Sequence, residues 1–161
     1  MECTNAVKQK KDKFWVLLII VIALVILLRI FVFELVNISG ESMYPTLHSG
    51  QMIAIYKVNY TPARGDIIVL DSPNKMELVK RVIGLPGETI EIKDGLVYIN
   101  GQELDQQFQF PSKIKDSMAP VAIPPDSIFV MGDNRDYSSD SRMIGPIKIQ
   151  SIRGKMAFEL W

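Results

Sequence analysis

Cysteine and histidine are almost missing from these 161 residues, Cys3 and His48 being the only ones. A single cysteine excludes an internal disulfide, and so thin a supply of thiol and imidazole excludes the usual four-ligand structural zinc site. An excess of one charge is missing too: 18 Lys and Arg balance 18 Asp and Glu. Nothing in the net charge therefore points to nucleic acid or an acidic polymer as partner. Helical periodicity does not persist after Glu34, and there is no internal repeat. With 48% apolar and 22% charged residues, the chain is neither disordered nor collagen-like, and its length suits one domain with an appendage. Its stability has to come from packing.

What the chain has in excess is one long apolar run. Residues 14–33 read FWVLLIIVIALVILLRIFVF, with Arg29 as the single charge. Twenty residues at about 1.5 Å each cover about 30 Å, a bilayer core, so the run predicts a transmembrane helix over 14–33. A buried core helix would need most of a small domain wrapped around it. A cleaved secretory signal would need small residues at A-x-A spacing after the run, where Arg-Ile-Phe-Val-Phe-Glu-Leu-Val-Asn stands instead. Residues 1–13 carry four lysines against Glu2 and Asp12, whereas 34–161 hold thirteen basic and sixteen acidic residues. The positive-inside rule then makes 1–13 a cytoplasmic segment and 34–161 an extracytoplasmic domain. Arg29 lies near the outer end, where a long side chain can snorkel.

After Glu34 short β-branched runs alternate with Gly, Pro, Asn and Asp. The expected strands are Met52–Val58, Asp66–Leu70, Leu78–Ile83, Thr89–Lys93, Leu96–Ile99, Ser127–Met131 and Ile147–Ile152. Asp94-Gly95 between two alternating runs predicts a tight hairpin, with Asn100-Gly101 as a second turn. Residues 102–126 contain four prolines and read as a loop-rich excursion. The fold class is mainly β, an antiparallel barrel or sandwich-like domain preceded by one membrane helix.

Four polar or glycine-rich stretches could carry chemistry: Ser39–Leu47, Arg64–Asp66, Lys80–Glu88 and Gly132–Arg142. In the third, two cations sit inside an apolar strand, and alternation alone leaves open which of them points inward. Their chemistry differs, because a desolvated lysine can lose its proton near neutrality and arginine cannot. The fourth is dense in aspartate, but Arg135 and Tyr137 fall where an EF-hand needs oxygen ligands and no glycine stands at the sixth position. Its arginines and aspartates suggest a loop tied by charge-assisted hydrogen bonds. A Ser-His-Asp triad has only His48 to draw on. The Ser-x-x-Lys spacings at Ser72/Lys75 and Ser112/Lys115 lack the helix that motif needs. A serine with a distant, buried lysine remains.

In that order, a membrane helix followed by Ser42-Met43-Tyr44-Pro45-Thr46-Leu47, Arg64-Gly65-Asp66, Lys80-Arg81-Val82-Ile83-Gly84-Leu85-Pro86-Gly87 and Gly132-Asp133-Asn134-Arg135-Asp136 through Ser141-Arg142 resembles the bacterial type I signal peptidases. The likeness is to their small members with a single membrane helix. It implies a serine endopeptidase that uses no cofactor or metal, with Ser42 as nucleophile and Lys80 as general base. It also implies that Ser138 hydrogen-bonds the lysine, that Asp140 and Arg142 form a supporting ion pair, and that Asp133 and Arg135 shape the loop. Some members place a serine two residues before the nucleophile to help bind the oxyanion. This chain has Gly40 there, which leaves backbone N–H groups, including that of Ser42, for the task.

The substrates implied are signal peptides of exported precursors, with the bilayer as a second partner and the secretion translocon nearby. Ile38, Leu47, Ile53 and Val79 are the expected walls of the substrate pocket. Two rival readings remain: a self-cleaving repressor with a Ser-Lys pair, and a non-catalytic anchored β-domain that binds extended peptides. The first wants a DNA-binding helix pair and an Ala-Gly or Cys-Gly cleavage site, and the chain has neither.

Overall fold

The computed structural model describes residues 2–57, 60–72 and 76–160, the side chains at 2–12 and 28–30 excepted. The chain divides into two units, Met1–Glu34 and Leu35–Trp161. In the first, helix α1 covers Glu2–Val32. It starts well before position 14, because the Lys- and Gln-containing leader is made of good helix formers. Every described side chain from Lys13 to Leu27 is exposed, although all but Lys13 are apolar. Among the described residues no helix is long and apolar enough to cross a membrane. The expected span of 14–33 includes positions 28–30, whose side chains lie outside the described residues.

The second unit is built on two sheets. The larger has the order β1-β2-β11-β3-β4-β9-β10, from Phe33–Asn37, Met52–Tyr56, Ile152–Glu159, Ile67–Asp71, Glu77–Gly84, Ser127–Met131 and Ile147–Lys148. The smaller has the order β7-β6-β5-β8, from Gln102–Glu103, Leu96–Ile99, Thr89–Lys93 and Met118–Ala122. Pairing is antiparallel from β2 across to β10 and throughout the smaller sheet. A mainly β, antiparallel domain is what the alternating runs require.

Asp94 and Asn100 take positive φ angles of 49° and 52°, each followed by a glycine that does the same. These are the two turns that the Asp-Gly and Asn-Gly pairs predict. β3 places Ile67 and Val69 in one core and Ile68 and Leu70 in another, so it is buried on both faces. β4 touches every core: Val79 packs on the first, Leu78 and Val82 belong with the other face of the sheet, and Ile83 joins a third cluster under the smaller sheet. Lys80 and Arg81 thus sit on the strand that the hydrophobic packing fixes most firmly.

Three local expectations are corrected. The run 147–152 is not one strand. Ile149 N–H donates to the Asp126 carbonyl and Ser151 Oγ to that of Lys148, which turns the chain so that β11 inserts between β2 and β3. The excursion 102–126 holds two strands, and β8 tolerates Pro120 because it lies at the sheet edge. The apolar run at 33 is already strand, since β1 begins at Phe33. β2 stops at Tyr56, and Val58 of the expected strand lies outside the described residues.

Candidate active site

The segment after β1 is a short turn anchored at both ends. Ile38 and the Gly50-Gln51 pair exchange backbone hydrogen bonds of 2.8 Å, and Leu47 N–H closes on the Met43 carbonyl at 3.0 Å. Met43 and Leu47 are buried in the first core, so the turn is pulled inward at two points. Ser42 is left half-buried beside it.

Lys80 reaches this serine from β4. Its Nζ donates to Ser42 Oγ at 2.7 Å and to the Val79 carbonyl at 3.0 Å, and the residue is 2% exposed. Burial pushes the Lys80 ammonium below its ordinary value, while the Asp140 and Asp133 carboxylates pull the other way. A neutral amine within hydrogen-bond reach of a hydroxyl is what a general base requires.

Asp133 ties the serine turn, the lysine strand and its own loop together. Its carboxylate accepts from Arg81 Nε at 2.8 Å, Arg81 Nη2 at 2.6 Å and Thr46 Oγ1 at 2.5 Å. Next in sequence, Asn134 N–H donates to the Ser42 carbonyl and its side-chain amide to the Glu41 carbonyl, both at 3.0 Å. Two charge-assisted bonds from a planar guanidinium fix orientation as well as distance. Arg81 also donates to the Gly65 carbonyl at 2.8 Å, which gives the Arg64-Gly65-Asp66 stretch a part in the same network.

Asp140 is fully buried and caps α2, Ser141–Ile144. It accepts from Gly132 N–H at 3.0 Å and from Arg142 Nε and Nη2 at 2.9 Å each. Burial would raise its carboxyl, but Arg142 outweighs this and holds it below the usual range. Arg135 donates to the Gly132 and Phe108 carbonyls at 3.0 and 2.7 Å. Ser138 Oγ is shut off from solvent and makes no hydrogen bond to Lys80, whose second partner is the Val79 carbonyl instead. It is nevertheless close to Ser42: a Cβ at position 132 would fall 2.3 Å from Ser138 Oγ and 2.4 Å from the Ser42 carbonyl oxygen. Only glycine lets these segments approach so closely.

A cavity of about 160 Å³ opens beside the pair, and Ile38, Val79, Leu78 and Glu77 contribute to its walls together with Ser42 and Lys80. Leu47 and Ile53, expected at this wall, have no exposed surface and belong to the core behind it. They share a core with Ile38 but lie deeper in it. Gly40 N–H donates to Ser49 Oγ at 3.2 Å.

Several participants were hidden from sequence reasoning. Arg81, Thr46 and Asn134 lie inside the stretches singled out, but their joint attachment to Asp133 and Ser42 is a long-range relationship. Asp136 accepts from Ser112 Oγ and from the N–H groups of Lys113 and Ile114 at 2.5–3.2 Å, pinning the excursion to the loop. The density of acidic residues was the only signal for it.

Residues 12–161 match the family described as signal peptidase, peptidase S26. The chain is 38% identical to signal peptidase I of Bacillus caldolyticus over 96% of its own length and 93% of that protein's. It is also 38% identical to signal peptidase I S of Bacillus subtilis strain 168, over 98% and 94%. A crystal structure of a signal peptidase I from Enterococcus faecalis V583 superposes with a TM-score of 0.51 at 35% identity, covering 60% of this chain and 97% of that one. The chain belongs to the signal peptidase family, peptidase S26.

Proposed function

We propose that this peptidase cleaves signal peptides from exported precursors by a Ser42–Lys80 mechanism. The observation that carries the reading is the 2.7 Å approach of a buried lysine amine to a serine hydroxyl at the rim of a cavity. Neutral Lys80 takes the Ser42 proton, and the alkoxide attacks the carbonyl of the scissile bond. The lysine then gives that proton to the leaving amine and, neutral again, activates the water that hydrolyses the acyl-enzyme. Backbone N–H groups, including that of Ser42, hold the oxyanion. Asp140 with Arg142, and Asp133 with Arg135, keep the loop in place. Ile38 and Val79 shape a shallow pocket that admits a small residue before the cut, and the extended substrate pairs with an exposed strand.

Residues 14–33 anchor the enzyme in the plasma membrane, with 1–13 in the cytoplasm and 34–161 outside. From Phe14 to Leu27 the side chains are apolar on every face of α1 and exposed, an arrangement that lipid satisfies and water does not. Holding enzyme and signal peptide in one plane raises their effective concentration beside the translocon. The test is incubation of the detergent-solubilised protein with a secretory precursor beside Ser42→Ala. Cleavage at the signal junction by the wild type alone is expected, and cleavage by neither protein would leave the non-catalytic reading in its place.

A further inference from the structure

We propose that Phe110, carried on the 102–126 excursion, is a positioning residue for the Ser42–Lys80 pair because its ring holds Arg81 and Arg135 together at the Asp133 loop. The inference rests on the assignment of Ser42 and Lys80 made above. Both guanidinium carbons lie over this one ring, 5.2 Å from its centroid for Arg81 and 5.5 Å for Arg135. Each arginine is in turn bonded to the segment that touches the nucleophile. Arg81 grips Asp133, which also binds Thr46 four residues after Ser42, and Arg135 donates to the Gly132 carbonyl.

Two like charges in a poorly solvated place repel. Arg135 is pushed down to about 10 by burial, with the Arg142 and Arg81 charges adding to the effect and Asp133 and Asp140 opposing it. A further carboxylate would neutralise the pair, but it would also hold the proton on Lys80 more tightly, as Asp140 and Asp133 already do. An aromatic face attracts cations without adding net charge, so it steadies the arginines at the smallest cost to the base. The remaining charged group sharing the Lys80 cavity, Glu77, is paired with Arg153.

The excursion holds the ring in position. Gln109 exchanges two hydrogen bonds with the Val97 backbone, at 3.0 and 3.1 Å, the Phe108 carbonyl accepts from Arg135, and Ser112 to Ile114 are bonded to Asp136. Phe108 also sits where any Cβ on Gly65 would have to go. The segment from 108 to 114 is fastened on both sides of Phe110.

The experiment compares Phe110→Leu, which keeps apolar bulk and loses the ring, with Phe110→Tyr, which keeps the ring, in the full detergent-solubilised chain. Ser42→Ala and Lys80→Ala are run beside them, and kcat, KM and the pH dependence of kcat/KM are measured on one signal-peptide substrate. Phe110→Leu is expected to fold with wild-type circular dichroism and to lose about tenfold in kcat with KM little changed, the size of two weakened cation–π contacts. Its acidic limb should move to higher pH as Arg81 loosens from Asp133, and Phe110→Tyr should restore most of both. Should Phe110→Leu melt below the assay temperature, Phe110→Met makes the same comparison. A ring-less variant equal to the wild type in kcat and acidic limb, or a tyrosine variant as impaired as the leucine one, overturns the inference. Turnover by Ser42→Ala or Lys80→Ala would instead overturn the dyad assignment on which it rests.

Discussion

Lys80 Nζ lies 2.7 Å from Ser42 Oγ with no imidazole between them. His48, six residues on, is exposed and meets the Tyr44 ring edge-on at 5.3 Å between centroids. Ser42→Ala and Lys80→Ala should therefore each lower precursor cleavage by about a thousandfold or more, as loss of a member of a nucleophile–base unit does. His48→Ala should keep most activity. A His48→Ala enzyme as dead as Ser42→Ala, with Lys80→Ala still active, would remove the lysine from the mechanism.

The burial of Lys80 costs stability. Its folded-state value lies below the ordinary 10.5, so the unfolded chain binds the proton more tightly. Stability from this group is lowest below the folded value, rises with pH through the window between the two values, and reaches its full level above the unfolded one. Lys80→Met, inactive but similar in shape, should melt at a higher temperature than wild type near pH 7, and the gain should shrink toward pH 10.5. In the active enzyme the acidic limb of kcat/KM should report one deprotonation below the free-lysine value and above the histidine range. A limb near pH 6.5 that vanished in His48→Ala would contradict this.

Asp136 fastens an otherwise loose segment. Its carboxyl is held below the usual range by the Ser112 hydroxyl and the Lys113 N–H, with Ile114 N–H adding to them against a small burial effect. That contribution is intact above the unfolded carboxylate value and is lost only as pH falls through the lower folded one. Asp136→Ala should make residues 111–117 the first site of limited proteolysis at neutral pH while strands β3 and β4 stay protected. Equal cleavage rates in the two proteins would mean that Asp136 does not restrain the excursion.

Much of this was legible because strand alternation and turn chemistry are local. Asp94-Gly95 and Asn100-Gly101 announced their turns, and the apolar runs around Ile67 and Lys80 announced strands. The motif order singled out Ser42 and Lys80, which the fold brings within 2.7 Å of each other. Depth was not legible: Leu47 and Ile53 share a hydrophobic core with Ile38, yet only the last lines the cavity. Neither was the excursion, whose prolines masked β8 and whose Phe108, Phe110 and Ser112 derive their role from loops some 20 to 45 residues away in sequence. Such contacts depend on topology, which a single chain does not spell out.

Gly132 sets the distance between the loop and the nucleophile. It carries no unusual φ, so the requirement for glycine is purely one of space. A Cβ there would meet Ser138 Oγ at 2.3 Å and the Ser42 carbonyl oxygen at 2.4 Å. The hydroxyl can rotate away, but the carbonyl is backbone and is held by Asn134 N–H at 3.0 Å. The extra methyl must therefore push the loop from Ser42, and overpacking of this kind costs about 1–3 kcal/mol. A displacement of the nucleophile by as little as 1 Å costs about a hundredfold in rate. Gly132→Ala should fall in kcat by that order with a smaller change in KM, and it should melt a few degrees lower. Ser138→Ala in the same chain removes the hydroxyl contact and should recover only a minor part of the loss, because the Cβ of residue 138 at 2.6 Å and the Ser42 carbonyl oxygen both remain. Full recovery in the double variant would place the obstruction at the Ser138 hydroxyl alone and not at the Ser42 carbonyl.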